Sequence, residues 1–375
     1  MSHTPAPHRT WVEIDLAALR HNAGVARRLA GPDGGVMAVV KADAYGLGTR
    51  WIAPALATAG IDAFAVSTLT EACELHSLGI TAPVYLLSPA TPAEQSAVVA
   101  TQHGAASPII PAVASEEDAI QYAAIAAATG TTVAVHVVID TGMGRIGILE
   151  NEALATVLRI AALPGLVIDS IGSHLPSADE DEIFTAAQLT RYHALLKALA
   201  TAGVRPARHH IANSAGTLQL RRHHRELVRT GLMLCGISPI PESREPLQPV
   251  VTWYARVVSV RTLPAGHGIS YGRTFVTPHP IRVATLAVGY ADGYPRHLSG
   301  QGAWVQLGNQ RCPVLGRITM DQIMVEAPAS TQPGDAATLM GGHGPDATEL
   351  ATRAGTIPYE IICGLGRRVV RVPVS

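Results

Sequence analysis

From about residue 35 to residue 235, eight short runs rich in β-branched and apolar residues alternate with Ala/Leu-rich segments of helical period. No other feature of the chain restricts its fold as much. A strand has side-chain period 2 and a helix period 3.6, so the repeated switch between the two marks successive βα units. The strand candidates are residues 35–41, 63–67, 83–87, 109–114, 133–140, 167–174, 209–214 and 227–232. Helix candidates are 16–29, 52–58, 69–77, 116–128, 152–162 and 184–202. Strands that alternate with helices pair in parallel, and eight units predict a closed (β/α)8 barrel of the TIM type. An open doubly wound sheet is the competing arrangement, but no GxGxxG follows the first strand to support it.

The pattern changes after Pro239-Ile-Pro241. Residues 239–249, rich in Pro, Ser and Glu, read as a linker. Beyond them strands dominate, at 250–263, 281–290, 303–307, 312–318, 323–326, 337–340 and 369–374, punctuated by turn residues. The expected organisation is α/β overall: a barrel over residues 11–240 and a mainly β C-terminal domain over 246–375. Residues 11–14 are also strand-like and can pair with either domain, so residues 1–15 can belong with the second. A length of 375 residues accommodates two cores. The formal net charge of −1 gives no electrostatic argument for nucleic acid or an anionic membrane. No apolar run approaches the roughly 20 residues that span a bilayer, and residues 1–10 carry no secretory pattern. The four cysteines, Cys73, Cys235, Cys312 and Cys363, form no CxxC pair, which argues against a zinc site and fits free thiols in a cytoplasm.

Of the 28 basic side chains only Lys41 and Lys197 are lysines. A lysine kept in so Arg-rich a chain is a candidate for what arginine cannot do, which is to deprotonate and form a Schiff base. Lys197 sits in a helix-like stretch and reads as a solvated charge. Lys41 ends the apolar run Gly35-Val-Met-Ala-Val-Val40. Alone it would be read as a snorkelling strand end. In a βα barrel, however, catalytic groups gather where the strands end. Lys41 and Tyr45, Asp140 to Arg145, His174, Asn213-Ser214, and Arg229 with Gly231 all lie at such ends. His174 alone would be a satisfied core histidine, and Arg145 alone a surface ion-pair partner. Together they have a chemical meaning. A Schiff-base lysine needs an aldehyde cofactor. A phosphate on that cofactor needs donors such as Tyr45, Ser214 and the amides around Gly231. A pyridine nitrogen facing Arg229 would stay unprotonated, because a guanidinium does not readily lend a proton.

These segments resemble the alanine racemases. Val39-Val-Lys-Ala-Asp-Ala-Tyr-Gly46 resembles their cofactor-lysine signature. Asp140-Thr-Gly-Met-Gly-Arg145, Ser173-His174, Ala178-Asp-Glu180, His210-Ile-Ala-Asn-Ser214, Arg229-Thr-Gly231, Ser270-Tyr-Gly272, Val288-Gly-Tyr-Ala-Asp-Gly-Tyr294, Gly316-Arg-Ile-Thr-Met-Asp321 and Pro358-Tyr-Glu360 match in order, from about Trp11 to Arg371. The resemblance implies pyridoxal 5'-phosphate as cofactor, no catalytic metal, and a head-to-tail homodimer in which one subunit's barrel meets the other's β domain. It implies that Lys41 holds the cofactor and that Tyr271, from the partner, is the second acid/base. Tyr45, Leu87, His174, Asn213, Ser214, Arg229, Gly231, Leu232 and Tyr359 would contact the cofactor. Arg145 and the Met320 amide would orient the substrate carboxylate, and Tyr290 and Asp321 would line the entrance. The implied reaction interconverts L- and D-alanine, supplying D-alanine for peptidoglycan. Lys41 would abstract the Cα proton of the D-enantiomer and Tyr271 that of the L-enantiomer. A tyrosine ionising near ~10 needs cationic neighbours or hydrogen bonds to act as that base.

Three positions depart from the family pattern. Many members carry a carbamylated lysine seven residues before the arginine of Asp-Thr-Gly-Met-Gly-Arg, and here that place holds Val138. Cys235 stands where the family often has tyrosine, and Gly364-Leu-Gly-Arg367 lacks the usual tyrosine. Arg145 must therefore be oriented by a neutral side chain, an anion or water. The competing functions are a broader-specificity racemase acting, for example, on serine, a decarboxylase of the same plan, and a non-catalytic pyridoxal-phosphate carrier. The second domain and Tyr271 argue against the carrier.

Overall fold

A computed structural model describes residues 8–104, 107–220, 226–241 and 243–375. Residues 1–7, on which part of the reading of the N-terminus rests, lie outside the described residues. The chain divides into two compact units. One comprises Leu19–Ala44 and Thr49–Leu247. The other comprises the chain up to Ala18, Tyr45–Gly48 and Gln248–Ser375.

β1 (Thr10–Asp15) lies in the second of these units. The first unit contains β2 (Gly35–Val39), β3 (Ala63–Val66), β4 (Val84–Pro89), β5 (Ile109–Val113), β6 (Val133–Asp140), a two-residue β7 (Ile148–Leu149), β8 (Leu166–Gly172), β9 (Arg208–His210) and β10 (Leu227–Thr230). Apart from β7, which pairs only with β6, these strands form one parallel sheet in the order β10-β2-β3-β4-β5-β6-β8-β9. A parallel bridge between His209 and Glu226 joins its two ends, so the eight strands close into a barrel. Glu226 strengthens that seam: its carboxylate accepts from the amides of Ile211 and Ala212 at 2.7 and 2.5 Å. Closure of this kind removes the edges that an open sheet leaves.

The strands are buried because both faces are covered, which explains their Val- and Ala-rich runs. Most helices between them match the periodicity, including Leu16–Ala30, Leu69–Ser77, Glu116–Thr129, Glu150–Ala161 and Glu182–Thr201. The helix Pro92–Gly104 was not anticipated from the sequence. Several strands stop short of the predicted ends. β2 ends at Val39, β8 at Gly172 and β9 at His210, so Lys41 and His174 lie just beyond their strands, and Asn213-Ser214 form the start of a helix that follows β9.

In the other unit, β11 (Val251–Leu263) is the longest strand. It is followed by the short pair β12 (Gly268–Ile269) and β13 (Phe275–Val276), then β14 (Ile281–Leu286), β15 (Trp304–Leu307), β16 (Gln310–Leu315), β17 (Ile323–Glu326), β18 (Ala336–Met340) and β19 (Val370–Val374). The sheet runs β14-β17-β16-β15-β18-β11-β1-β19, and β11 also pairs with β14. That extra pairing closes six strands into an antiparallel ring. A register shift between Val257 and Ser259 accompanies the change of partner along β11. The structure settles where residues 11–14 belong: β1 pairs antiparallel with β11 and parallel with β19. Trp11 stacks on Tyr254 with ring centroids 5.1 Å apart. Two helices, Ala347–Ala354 and Pro358–Cys363, interrupt what the sequence suggested was all strand.

Candidate active site

Lys41 follows β2 and opens a strained turn. Ala42, Asp43, Ala44 and Tyr45 all have φ between 52° and 58°. Left-handed backbone costs an L-residue roughly 1–2 kcal/mol, so the surroundings must hold it. Glu71 accepts from the Ala42 amide at 2.7 Å while its other oxygen accepts from the Ser67 and Thr68 amides. Asp43 accepts from the Thr49 amide at 2.7 Å. Strain held in this way is typical of functional loops. Tyr45 stands in the other unit with Tyr359, the ring centroids 6.0 Å apart. In that unit Arg371 donates to the Gly46 carbonyl.

Arg229, in β10, is 5% exposed. Nη1 lies 2.6 Å from His210 Nδ1, and Nη2 donates to the Ser173 carbonyl at 2.7 Å and lies 2.8 Å from His174 Nδ1. A guanidinium only donates, so both histidine Nδ1 atoms accept and both rings are neutral. Electrostatics agree. Burial, then Arg229, Arg145 and Lys41, push His174 down to about 3. Burial first, then the same arginine, takes His210 well below its usual value. Burial also lowers Arg229, to about 10, which leaves it charged at neutral pH.

Asn213 caps the helix Ser214–Gln219: its Oδ1 accepts from the Gly216 amide at 2.9 Å and its Nδ2 donates to the Leu175 carbonyl at 3.0 Å. Ser214 Oγ accepts from the amides of Gly231 and Met233 at 3.2 and 3.4 Å, and Leu232 opens a short 3-10 turn beside it. Leu87 lies in β4, half-buried. The structure thus gathers Ser214, Gly231 and Leu232 at one place and His174, Arg229 and His210 at another on the barrel.

The loop with Arg145 is held by other means than a lysine. Val138 pairs with Gly172 across the sheet. Asp140 Oδ1 accepts from the amides of Gly142, Met143 and Gly144 at 2.9, 2.9 and 3.1 Å. Thr141 Oγ1 meets Ser173 Oγ at 2.7 Å and accepts from Gln188 Nε2 at 2.7 Å. The same Gln188 nitrogen donates to the His174 carbonyl at 2.8 Å. Of the options left open by Val138, a neutral polar network therefore anchors the base of this loop, while the Arg145 side chain itself is exposed.

In the β unit three turns meet. Ser270, with φ 63°, donates to the Arg317 carbonyl at 2.6 Å. The amides of Tyr290 and Ala291 donate to the carbonyls of Thr319 and Met320, both at 3.0 Å. Tyr271, Tyr290, Met320 and Asp321 stand on these turns and are exposed, Tyr271 at 72%. Tyr271 borders a cavity of about 360 Å³ also lined by Arg261, Thr319 and Gln322. Arg368 fixes Asp321, donating to it at 2.9 Å and to buried Asp292 at 3.0 and 3.1 Å.

Residues 14–239 match the family model described as the N-terminal domain of alanine racemase, and residues 250–373 match that of its C-terminal domain. The chain belongs to the alanine racemase family. It is 41% identical to the alanine racemase of Symbiobacterium thermophilum, over 96% of each chain. The crystal structure of alanine racemase from D-cycloserine-producing Streptomyces lavendulae superposes with a TM-score of 0.90 at 35% identity, over 99% of this chain and 98% of that one. The Bartonella henselae alanine racemase, solved with covalently bound pyridoxal phosphate, superposes with a TM-score of 0.88 at 30% identity, over 98% of this chain and all of that one.

Sequence reasoning passed over five residues that bond or pack against the candidate site residues of this alanine racemase-family chain or their loops: Glu71, Gln188, His136, His210 as a ring in its own right, and Arg368. His136 had a usable signal, a lone histidine inside Val133-Ala-Val-His-Val137. Glu71, Gln188 and Arg368 look like ordinary surface residues of helices and turns until their partners are known. Among the described residues no helix is long and apolar enough to cross a membrane, and no three metal-binding side chains converge.

Proposed function

We propose that this protein interconverts L- and D-alanine, with pyridoxal 5'-phosphate as cofactor and Lys41 and Tyr271 as the two proton carriers. The observation that carries this reading is the buried Arg229, charged and pinned between two neutral histidines, on the strand that pairs with β2, just beyond whose end Lys41 lies.

The donor set fits the cofactor. Lys41 offers an amine at a strand end, Ser214 and the amides of Gly231 and Leu232 suit a phosphate, and Arg229 suits a ring nitrogen. When bound, pyridoxal phosphate draws electron density from the substrate Cα and makes its proton removable. Arg229 holds its own proton and so does not protonate the ring nitrogen, which limits electron withdrawal and disfavours side reactions such as transamination. Two of the nitrogens of its guanidinium are held by His210, His174 and Ser173, and Nε is not among the atoms those bonds use. His174, kept neutral, packs a ring and not a charge against the cofactor. Asn213, Leu87, Leu232, Tyr45 and Tyr359 complete its binding, the last two through their phenols. Arg145 and the Met320 amide orient the substrate carboxylate, and Tyr290 and Asp321 narrow the entrance.

Lys41 takes or gives the proton on one face of Cα and Tyr271 on the other. The Arg317 guanidinium lies against the turn that carries Tyr271, since a Cβ on Gly272 would stand 3.2 Å from it. Tyr271, Tyr290, Met320 and Asp321 lie together on an exposed face of one protomer. That exposure supports a homodimer in which they serve the partner's barrel. We assign the reaction to the cytoplasm, as the free cysteines suggest, with D-alanine going to peptidoglycan. In domain terms residues 11–240 contain the cofactor-binding barrel, and 246–375 supply the second base together with the cofactor contact of Tyr359.

The test is direct. The purified protein should show a visible absorbance that borohydride abolishes, and should form D-alanine faster than D-serine or D-lysine. Absence of the absorbance would refute the cofactor, and a preference for serine or lysine would refute the substrate. Sedimentation tests the assembly: an active monomer would refute it.

A further inference from the structure

Two buried histidines inside the barrel have no assigned part in this reaction beyond one contact with Arg229. His136, in β6, is 1% exposed and His210, at the end of β9, is 2% exposed. Their ring centroids lie 5.4 Å apart, and Tyr85 meets both edge-on at 5.6 and 6.0 Å. The proton positions follow from the partners. Arg229 Nη1 is 2.6 Å from His210 Nδ1. Because the guanidinium can only donate, that Nδ1 is bare and the neutral ring carries its hydrogen on Nε2. His136 Nε2 is 2.7 Å from the Leu86 carbonyl oxygen. A carbonyl can only accept, so this Nε2 carries the hydrogen and His136 Nδ1 is bare. The two ring atoms left over are thus a donor, His210 Nε2–H, and an acceptor, His136 Nδ1. Both are buried, and neither has a hydrogen-bond partner among the described residues, each other included. Tyr85 does not supply one, since its hydroxyl donates to Asp169 and accepts from Arg208. Ser170, the register partner of His136, also has a buried hydroxyl without a partner among the described residues.

We propose that His136 is a positioning residue for Arg229, accepting from His210 Nε2–H across one bridging water. The relay Arg229 to His210 to His136 to the Leu86 carbonyl then runs in one direction. Each donor polarises the next, which makes His210 a stronger acceptor for Arg229 than an isolated imidazole. Nη1 is fixed by this relay and Nη2 by Ser173 and His174, so the guanidinium cannot turn about its axis. The relay stands without any cofactor; its effect on turnover rests on the reading of Arg229 as the ring-nitrogen partner.

The test uses protein labelled with 15N-histidine, examined by long-range 1H–15N correlation at neutral pH, with the two rings assigned by single substitutions. Both rings should be neutral with hydrogen on Nε2, and the His210 Nε2–H should exchange slowly with solvent. In His136→Leu that hydrogen should exchange at least about tenfold faster, and kcat should fall about fivefold with KM little changed. His136→Asn, which keeps an acceptor near the Nδ1 position, should recover most of the loss. A wild-type His136 with its hydrogen on Nδ1 would overturn the proposal, whether or not the leucine variant folds. Unaltered His210 signals and kcat in a folded leucine variant would overturn it too. Because the tautomers can be read on protein stripped of cofactor, failure of the relay and failure of the racemase reading give different results.

Discussion

Gly289→Ala is the change whose cost can be followed furthest through the structure. Gly289 has φ −153°, which any residue adopts. The cost is therefore steric. A Cβ built there would stand 2.3 Å from the carbonyl oxygens of both Thr319 and Met320. An ordinary carbon–oxygen contact is about 3.3 Å, so the two turns must separate by about 1 Å. Two hydrogen bonds cross that gap, Tyr290 N to Thr319 O and Ala291 N to Met320 O, both at 3.0 Å. Stretched to about 4 Å they no longer count as bonds. Losing two at about 1 kcal/mol each, with overpacking strain of about 1–3 kcal/mol, gives a loss of about 3–5 kcal/mol. At roughly 2–4 °C per kcal/mol for a unit of this size, Tm should fall by about 10 °C. The same turns present Tyr290, Met320 and Asp321, so KM for alanine should rise severalfold. The visible absorbance of the bound cofactor should stay, because Lys41 and Ser214 are elsewhere in the chain. Calorimetry, a titration of initial rate and an absorbance spectrum check the three parts. A variant with wild-type Tm and KM would mean that the turns part freely, and the argument from rigid contact would fail.

Three further outcomes are expected. Lys41→Ala should lose the borohydride-sensitive absorbance and racemisation together; a retained absorbance would move the cofactor to another amine. Tyr271→Phe should lose exchange of the Cα hydrogen into deuterated water mainly from L-alanine, and equal loss from both enantiomers would refute the assignment of faces. Acid should destabilise the fold. Burial depresses His136 to about 4 and His174 to about 3, and lowers His210 as well. Below their unfolded value near ~6.5 the unfolded chain binds protons that the native chain does not. Stability is therefore full above that pH and falls as pH drops toward the folded values, by up to about 1.4 kcal/mol per unit for each histidine. Tm measured from pH 8 to pH 5 should fall more steeply for wild type than for His136→Asn; parallel curves would exclude His136 from the effect.

The strands and most helices were legible because burial imposes a period. Runs such as Val133-Ala-Val-His-Val137 and helices such as Glu116–Thr129 carry their own pattern and caps. Lys41 stood out as a candidate because lysine is rare in this chain and this one follows closely on a strand end. The β unit was read as strand throughout, and the helices Ala347–Ala354 and Pro358–Cys363 were missed because they are short. The N-cap Asp346 of the first and Pro358 at the first helical position of the second were the available signals. Strand ends slipped by a few residues, because a loop can extend the apolar pattern without joining the ladder.

Local sequence therefore determined the alternation, the two-part organisation of the sequence and the choice of Lys41 as the candidate Schiff-base lysine, since each depends on neighbours along the chain. Tertiary structure alone decided the rest. It assigned β1 to the β unit, where β11 and β19 flank it. It closed the barrel through His209 and Glu226. It gave His174, His210 and His136 their proton positions, because a tautomer is fixed by the partner across space. It also showed how the loop of Arg145 is anchored without a lysine at position 138, through Gln188, Thr141 and Ser173. The common reason is that a buried polar group is defined by what it bonds, and those partners lie tens of residues away in the chain.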